Sequence, residues 1–222
     1  MRQVWKQSEP ESLTQERRDG NSFANLRKAC KQAMQKALCA EQGYLCCFCE
    51  SRIEASGEAM KIAHFVPQSV DASKSLEWDN LYGACYGNEP TSKHQSVDVD
   101  GARLDAREHK GRHCDAKQDQ QVLDERLRPD KLSAGLIYFK QDGTVHSANS
   151  QIEHDLIVKL NLNHPRLVKN RTAAFDILIN VADFDPVVAR GLIGFSPDPD
   201  GRLGEFVSFL VAMVDQALGL RG

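Results

Sequence analysis

No stretch of this chain approaches the run of roughly 20 apolar residues that a helix needs to cross a bilayer, so a role built on membrane-spanning helices is excluded. The opening Met1-Arg2-Gln3-Val4-Trp5-Lys6 lacks the apolar stretch of a secretory signal, and a cytoplasmic protein without membrane contact is the expectation. An excess of positive charge is missing too. The 28 Lys and Arg residues stand against 31 Asp and Glu, for a net charge of −3, which excludes a generally basic nucleic-acid coat. Any action on nucleic acid then needs a local positive field or a partner that supplies one. Internal repeats and low-complexity tracts are also lacking. What is left is a chain of 222 residues, 41% apolar and 27% charged, an ordinary globular composition. It is long enough to bury a full core, as one domain or a compact pair.

The sequence reads as α+β and mostly helical. Residues 1–40 form a lead-in, polar at first. From Phe23 the positions Phe23, Leu26, Cys30, Ala33, Met34, Ala37 and Leu38 follow the spacing of an amphipathic helix, with Asn21 or Ser22 as N-cap and Gly43 just past the end. Residues 41–130 carry the chemistry. Tyr44-Leu45-Cys46 and 61–66 read as short strands, the second stopped by Pro67. A polar segment at 86–112 reads as an inserted loop, and a helix is expected from Asp115 through Leu127, ending before Pro129. Residues 131–222 form a third unit. It has a hairpin turning at Asp142-Gly143, a helix over 152–162, a second opened by Pro165, a short one from Pro186, and a last helix with Phe206, Phe209, Leu210, Met213, Val214, Ala217 and Leu218 as its core stripe.

Seven cysteines in a chain expected in the cytoplasm argue for metal or free thiols rather than a disulfide framework. Cys46 and Cys49, two residues apart, have the spacing of a knuckle that holds one side of a tetrahedral zinc, and Cys85 and Cys114 close it from a distance. Cys47 reads as a packed thiol and Cys30 as a buried small hydrophobe. A redox Cys-x-x-Cys pair is the rival reading, although no βαβ setting accompanies it. His64 falls between the two halves of the staple, and a neutral imidazole can take a proton from water near neutral pH. Asn80 can fix which ring nitrogen serves as base, by bonding the ring or the nearby backbone. Asp115 offers a hard oxygen ligand for Mg²⁺ or a similar ion. The segment with His94, His109 and His113 also carries Lys93, Arg103, Arg107, Lys110 and Arg112. It reads either as a solvated loop or as a phosphate-tracking arm, the second weakened by Asp98, Asp100, Asp105 and Glu108.

Taken in order, Cys46-x-x-Cys49-Glu50, Ile62-Ala63-His64-Phe65-Val66-Pro67-Gln68-Ser69, Trp78-Asp79-Asn80-Leu81-x-x-x-Cys85 and His113-Cys114-Asp115-x-Lys117 resemble the HNH endonuclease fold over residues 41–127. More narrowly, the chain resembles the HNH proteins of retron and Septu-type antiphage systems, the PtuB family. Glu41-Gln42-Gly43-Tyr44-Leu45-Cys46 and the segment from Leu160 to Arg171 add to that likeness. The resemblance implies a zinc-stapled ββα-metal core with helical extensions at both ends and one extra hairpin.

It also implies a nuclease with His64 as general base, Asn80 as its orienting group, Asp115 as a ligand of a catalytic Mg²⁺ or Mn²⁺, and Lys117 as a phosphate contact. The structural zinc would be held by Cys46, Cys49, Cys85 and Cys114. The implied partners are a nucleic-acid substrate, an SMC/ABC-like ATPase of the PtuA kind, and a retron reverse transcriptase with its RNA–DNA product. One position departs from the pattern. Such enzymes usually carry an acidic residue or histidine immediately before the base as second metal ligand, and here Ala63 stands there. Glu50, His113 or Asp119 are the candidates to replace it. A nuclease site in decay, within a zinc-bearing interaction module, is the alternative.

Overall fold

A computed structural model describes residues 1–90, 111–193 and 198–220. It is α+β and mostly helical. The elements are α1 (Glu11–Arg18), α2 (Lys28–Gln42), β1 (Lys61–His64), β2 (Leu81–Ala84), α3 (Asp115–Gln118), β3 (Tyr138–Phe139), β4 (Val145–His146), α4 (Ser150–His154), α5 (Pro165–Val181), α6 (Pro186–Leu192) and α7 (Val207–Ala217). The strands form two antiparallel pairs, β1 with β2 and β3 with β4, and His64 lies opposite Leu81 in the first.

The helix expected from Phe23 begins five residues later, at Lys28. The cause is the buried carboxylate of Glu16, which accepts from Asn21 Nδ2 at 2.5 Å, Arg27 Nε at 2.6 Å and the Arg27 amide at 3.2 Å. The chain folds around that charge, so Phe23–Asn25 makes only a 3₁₀ turn and the expected caps Asn21 and Ser22 serve elsewhere. Cys30, Met34 and Leu38 are buried at helical spacing as the pattern required. Gly43 ends α2 at φ 63°, and the Tyr44 amide reaches back to the Cys39 carbonyl at 2.8 Å.

Tyr44-Leu45-Cys46 is not a strand, since only Leu45 bridges, to Arg52, before the chain turns into the cysteine knuckle. Gln42, fully buried at the end of α2, fastens that turn to β2. Its amide donates to the Leu45 and Gly83 carbonyls, at 2.8 Å each, and accepts from the Gly83 amide at 2.7 Å. β1 ends at His64 rather than Val66 because the Asn80 amide takes both backbone groups of Val66 out of the ladder.

The helix expected over 115–127 stops after Gln118, where Asp119 adopts φ 50°. That left-handed break lets Leu123 and Leu127 drop separately into the core, the second from a 3₁₀ turn over Glu125–Leu127. The hairpin turns at Asp142-Gly143 as expected, with Gly143 at φ 83°. The helix expected over 152–162 runs as α only to His154, then as one π turn over Asp155–Lys159. Pro165 opens α5 and Pro186 opens α6 where the sequence placed them. One buried cluster extends from Leu13 and Met34 through Tyr82 and Leu127 to Phe209 and Met213, and a smaller one joins Leu45 and Leu203 to α6 and α7. Phe206, Phe209, Met213 and Val214 are buried, as the last stripe required.

Candidate metal centre and active site

Two turns bring the four cysteines together. In the first, the Cys46 amide donates to the Ser51 carbonyl at 2.9 Å and the Glu50 amide donates back to the Cys46 carbonyl at 3.0 Å, with Glu50 at φ 65°. This knuckle is tied to β2 through the Cys47 amide and the Gly83 carbonyl, 3.0 Å apart. In the second, Cys85 leaves β2 and Gly87, at φ 57°, accepts from the His113 amide at 3.0 Å. Cys114 follows at φ 57° and ψ −142°, a costly backbone for a residue with a Cβ. Its amide is held by the Leu160 carbonyl at 2.8 Å.

Sγ atoms of Cys46, Cys49, Cys85 and Cys114 all lie within 4.8 Å of one another, and those of Cys49 and Cys85 are 3.7 Å apart. Four thiolates at about 2.3 Å from one zinc stand about 3.8 Å from each other, so the arrangement fits a tetrahedral structural ion such as zinc. The electrostatics agree with the geometry. Burial opposes ionisation of Cys46, yet bonds from Cys114, Cys47, Cys49 and Cys85 outweigh it and hold that thiol below its ordinary range. Burial and the neighbouring sulfurs push Cys114 up instead. A crowd of sulfurs without a cation thus favours one thiolate, and a divalent ion lets all four ionise. Cys47 lies outside the group and is buried, as is Cys30, which packs on Met34.

Gly87 has no room for a side chain. A Cβ there would stand 2.0 Å from the His113 carbonyl oxygen. Gly87→Ala is therefore expected to push the 113–114 segment off its seat, cutting metal content well below that of the parent and costing more than about 2 kcal/mol. Metal analysis and a denaturant melt on the same sample check it; full metal content with an unchanged midpoint would contradict the seating described.

His64 closes β1 and is nearly buried. Its Nε2 lies 3.0 Å from the Ser75 carbonyl, which can only accept, so Nε2 carries the proton and Nδ1 keeps a lone pair. The Gln68 amide nitrogen is 3.5 Å from Nδ1, too far for a good bond. The Phe23 ring packs across the imidazole with centroids 4.5 Å apart. Burial lowers the pKa of His64, only partly offset by the Ser75 carbonyl and the charge of Asp115, so the ring is neutral near pH 7.

Asn80 works through the backbone. Its Oδ1 accepts from the Val66 amide at 2.8 Å, and its Nδ2 donates to the Val66 and Lys74 carbonyls at 3.1 Å each. It thereby folds 66–74 into the loop that aims the next carbonyl, Ser75, at His64. Asp115 opens α3, with Oδ2 2.9 Å from Lys61 Nζ; the same ammonium is 2.9 Å from Glu89 Oε2. Lys117 makes no ion pair among the described residues and stays half-buried on α3.

The three candidates to replace Ala63 are placed elsewhere. Glu50 is buried between the chain's α-ammonium, at 3.0 Å, and the Ser208 amide, at 2.9 Å. His113 has Nδ1 3.1 Å from Cys114 Sγ, and burial drives its pKa down to about 4. Asp119 is exposed. Sequence reasoning missed Lys61, Glu89 and the Ser75 carbonyl. The first had one signal, its position three residues before His64; a backbone oxygen has none. His94, His109, Lys93, Arg103, Arg107 and Lys110 lie outside the described residues, while Arg112 reaches Glu89 at 3.6 Å.

No family model matches the chain, and no curated protein does either. Among the described residues no helix is long and apolar enough to cross a membrane.

Proposed function

We propose that the protein is a zinc-stapled HNH-type nuclease that hydrolyses phosphodiester bonds of nucleic acid with a divalent ion. The observation that carries this reading is the state of His64. A neutral imidazole whose Nε2–H is committed to a carbonyl leaves Nδ1 as a proton acceptor. Asp115 stands close enough for its charge to act on that ring. In this reading His64 takes the proton of the attacking water, Asn80 keeps the ring's carbonyl partner in place, and Lys117 contacts a phosphate. Asp115 would hold Mg²⁺ or Mn²⁺, which when bound offsets the charge that develops on the phosphate. The fit is supported by the lysine ammonium that now sits on that carboxylate, since a cation is already favoured there.

The same reading assigns the protein to antiphage defence, as the effector of an SMC/ABC-like ATPase of the PtuA kind, alongside a retron reverse transcriptase and its RNA–DNA product. A net charge of −3 suits an enzyme whose partner supplies the nucleic-acid groove. Ala63 motivates the second reading, a zinc-stabilised module that scaffolds or regulates the ATPase without cleaving.

Purified protein with DNA or RNA, with Mg²⁺, Mn²⁺ or Ni²⁺, and with or without the ATPase separates the two. Cleavage that stops on chelation is expected. Stable partner binding with no hydrolysis under any of these conditions would favour the scaffold.

A further inference from the structure

Lys61 has no assigned role, yet it sits at the centre of the charged groups around Asp115. It opens β1, and its ammonium bridges Asp115 of α3 and Glu89 of the turn after β2, at 2.9 Å from each. Arg112 approaches the other Glu89 oxygen at 3.6 Å. The side chains of Lys61, Glu89 and Asp115 are 29%, 28% and 19% exposed, so solvent ions have access to all three. Ala63 brings no donor, and Glu50 and His113 are engaged at the cysteine centre. Glu89 is the carboxylate that shares a counter-ion with Asp115.

We propose that Lys61 is the internal counter-ion of a divalent-cation site formed by Asp115 and Glu89, and that the ion enters by exchange for the lysine ammonium. The proposal rests on the reading of Asp115 as a ligand of the catalytic ion, and it adds the second ligand and the competitor. Oxygens held 2.9 Å from a nitrogen need to close in by less than about 1 Å to reach the roughly 2.1 Å of a magnesium–oxygen bond. Lysine suits the exchange. It is a compact, strongly hydrated charge on a flexible stem, and once displaced it can turn to solvent without leaving a buried hole. The cost falls on affinity, because the ion must displace a cation already in place. Lys61 thus sets how much divalent metal the site requires.

Mn²⁺ binding to the zinc-loaded full chain, followed by the electron paramagnetic resonance of the free ion, tests this apart from cleavage. Lys61→Met is expected to tighten Mn²⁺ binding about tenfold, equivalent to about 1.4 kcal/mol. Lys61→Arg, which keeps the charge, should stay near the parent. Adding Glu89→Gln to Lys61→Met should cancel the gain. Lys61→Gln serves where the methionine variant fails to fold, and Glu89→Gln alone should weaken binding in the parent.

A Lys61 neutral variant that binds Mn²⁺ no more tightly than the parent, while Asp115→Asn abolishes binding, overturns the exchange and leaves the reading of Asp115 intact. A parent that holds no Mn²⁺, unchanged by Asp115→Asn, overturns that reading and the exchange with it.

Discussion

Cys114→Ser is expected to strip the protein of its structural metal and lower its melting temperature by about 10 °C or more. The magnitude follows from what the ion contributes. A structural zinc supplies on the order of 10 kcal/mol to folding, and losing one of four thiolates forfeits a large part of it. In a chain of 222 residues each kcal/mol moves the midpoint by about 2–4 °C.

Cys114 is the most demanding of the four positions. Its backbone is strained at φ 57° and ψ −142°, and its amide is pinned to Leu160, so a weaker ligand there leaves strain without the bond that offsets it. Cys47→Ala is the matched control, since that sulfur lies outside the group and should leave metal content unchanged. Metal analysis beside a thermal melt reads both. Full metal and an unshifted midpoint in Cys114→Ser would remove the tetrahedral centre from this account.

His64→Ala is expected to lower cleavage by about 10²–10⁴-fold while metal content and fold persist, because the side chain supplies a proton acceptor rather than a structural bond of any size. The pH profile of the parent provides a second check. Burial lowers the folded-state pKa of His64, so the acceptor form prevails at neutral pH. Activity should stay flat from neutral pH to somewhat below 6.5 and fall only as pH drops through that lowered value.

The stability term has a definite sign as well. Between the lowered pKa and about 6.5 the unfolded chain takes up a proton that the native state refuses. The contribution of His64 is therefore intact above about 6.5, shrinks on acidification, and is lost below the folded pKa. Undiminished cleavage by His64→Ala would dismiss the proposed base, whatever the pH profile showed.

What the sequence discloses about this site depends on which atoms do the work. Side chains with characteristic spacing were readable: the knuckle cysteines, their two distant partners, and the proline and Asp-Gly positions that open α5 and turn the hairpin. The identity of Asn80 was readable too, but its partners are the backbone of Val66 and the Lys74 carbonyl, and such atoms leave no mark in a residue pattern.

The segments misread share one cause. Phe23, Tyr44 and the stretch after Gln118 follow a helical or extended pattern that an outside contact overrides. Glu16 folds one turn around its charge, the knuckle bends another, and Asp119 breaks a third. Glu89 escaped notice because it sits at the edge of a polar segment in which single charges carry little information.

Glu50 and Leu160 have a further consequence. Glu50 follows Cys49 directly, and its backbone carbonyl and carboxylate accept from the first amides of the last helix, at Phe206 and Ser208. Leu160 holds the amide of Cys114 from the opposite side. Sulfur ligands near the start of the chain and helices near its end are therefore fastened to one another on both flanks. Heat cannot loosen the carboxyl-terminal third while sparing the cysteine centre: the two should melt in a single cooperative step, and chelating the metal should draw the whole transition downward together.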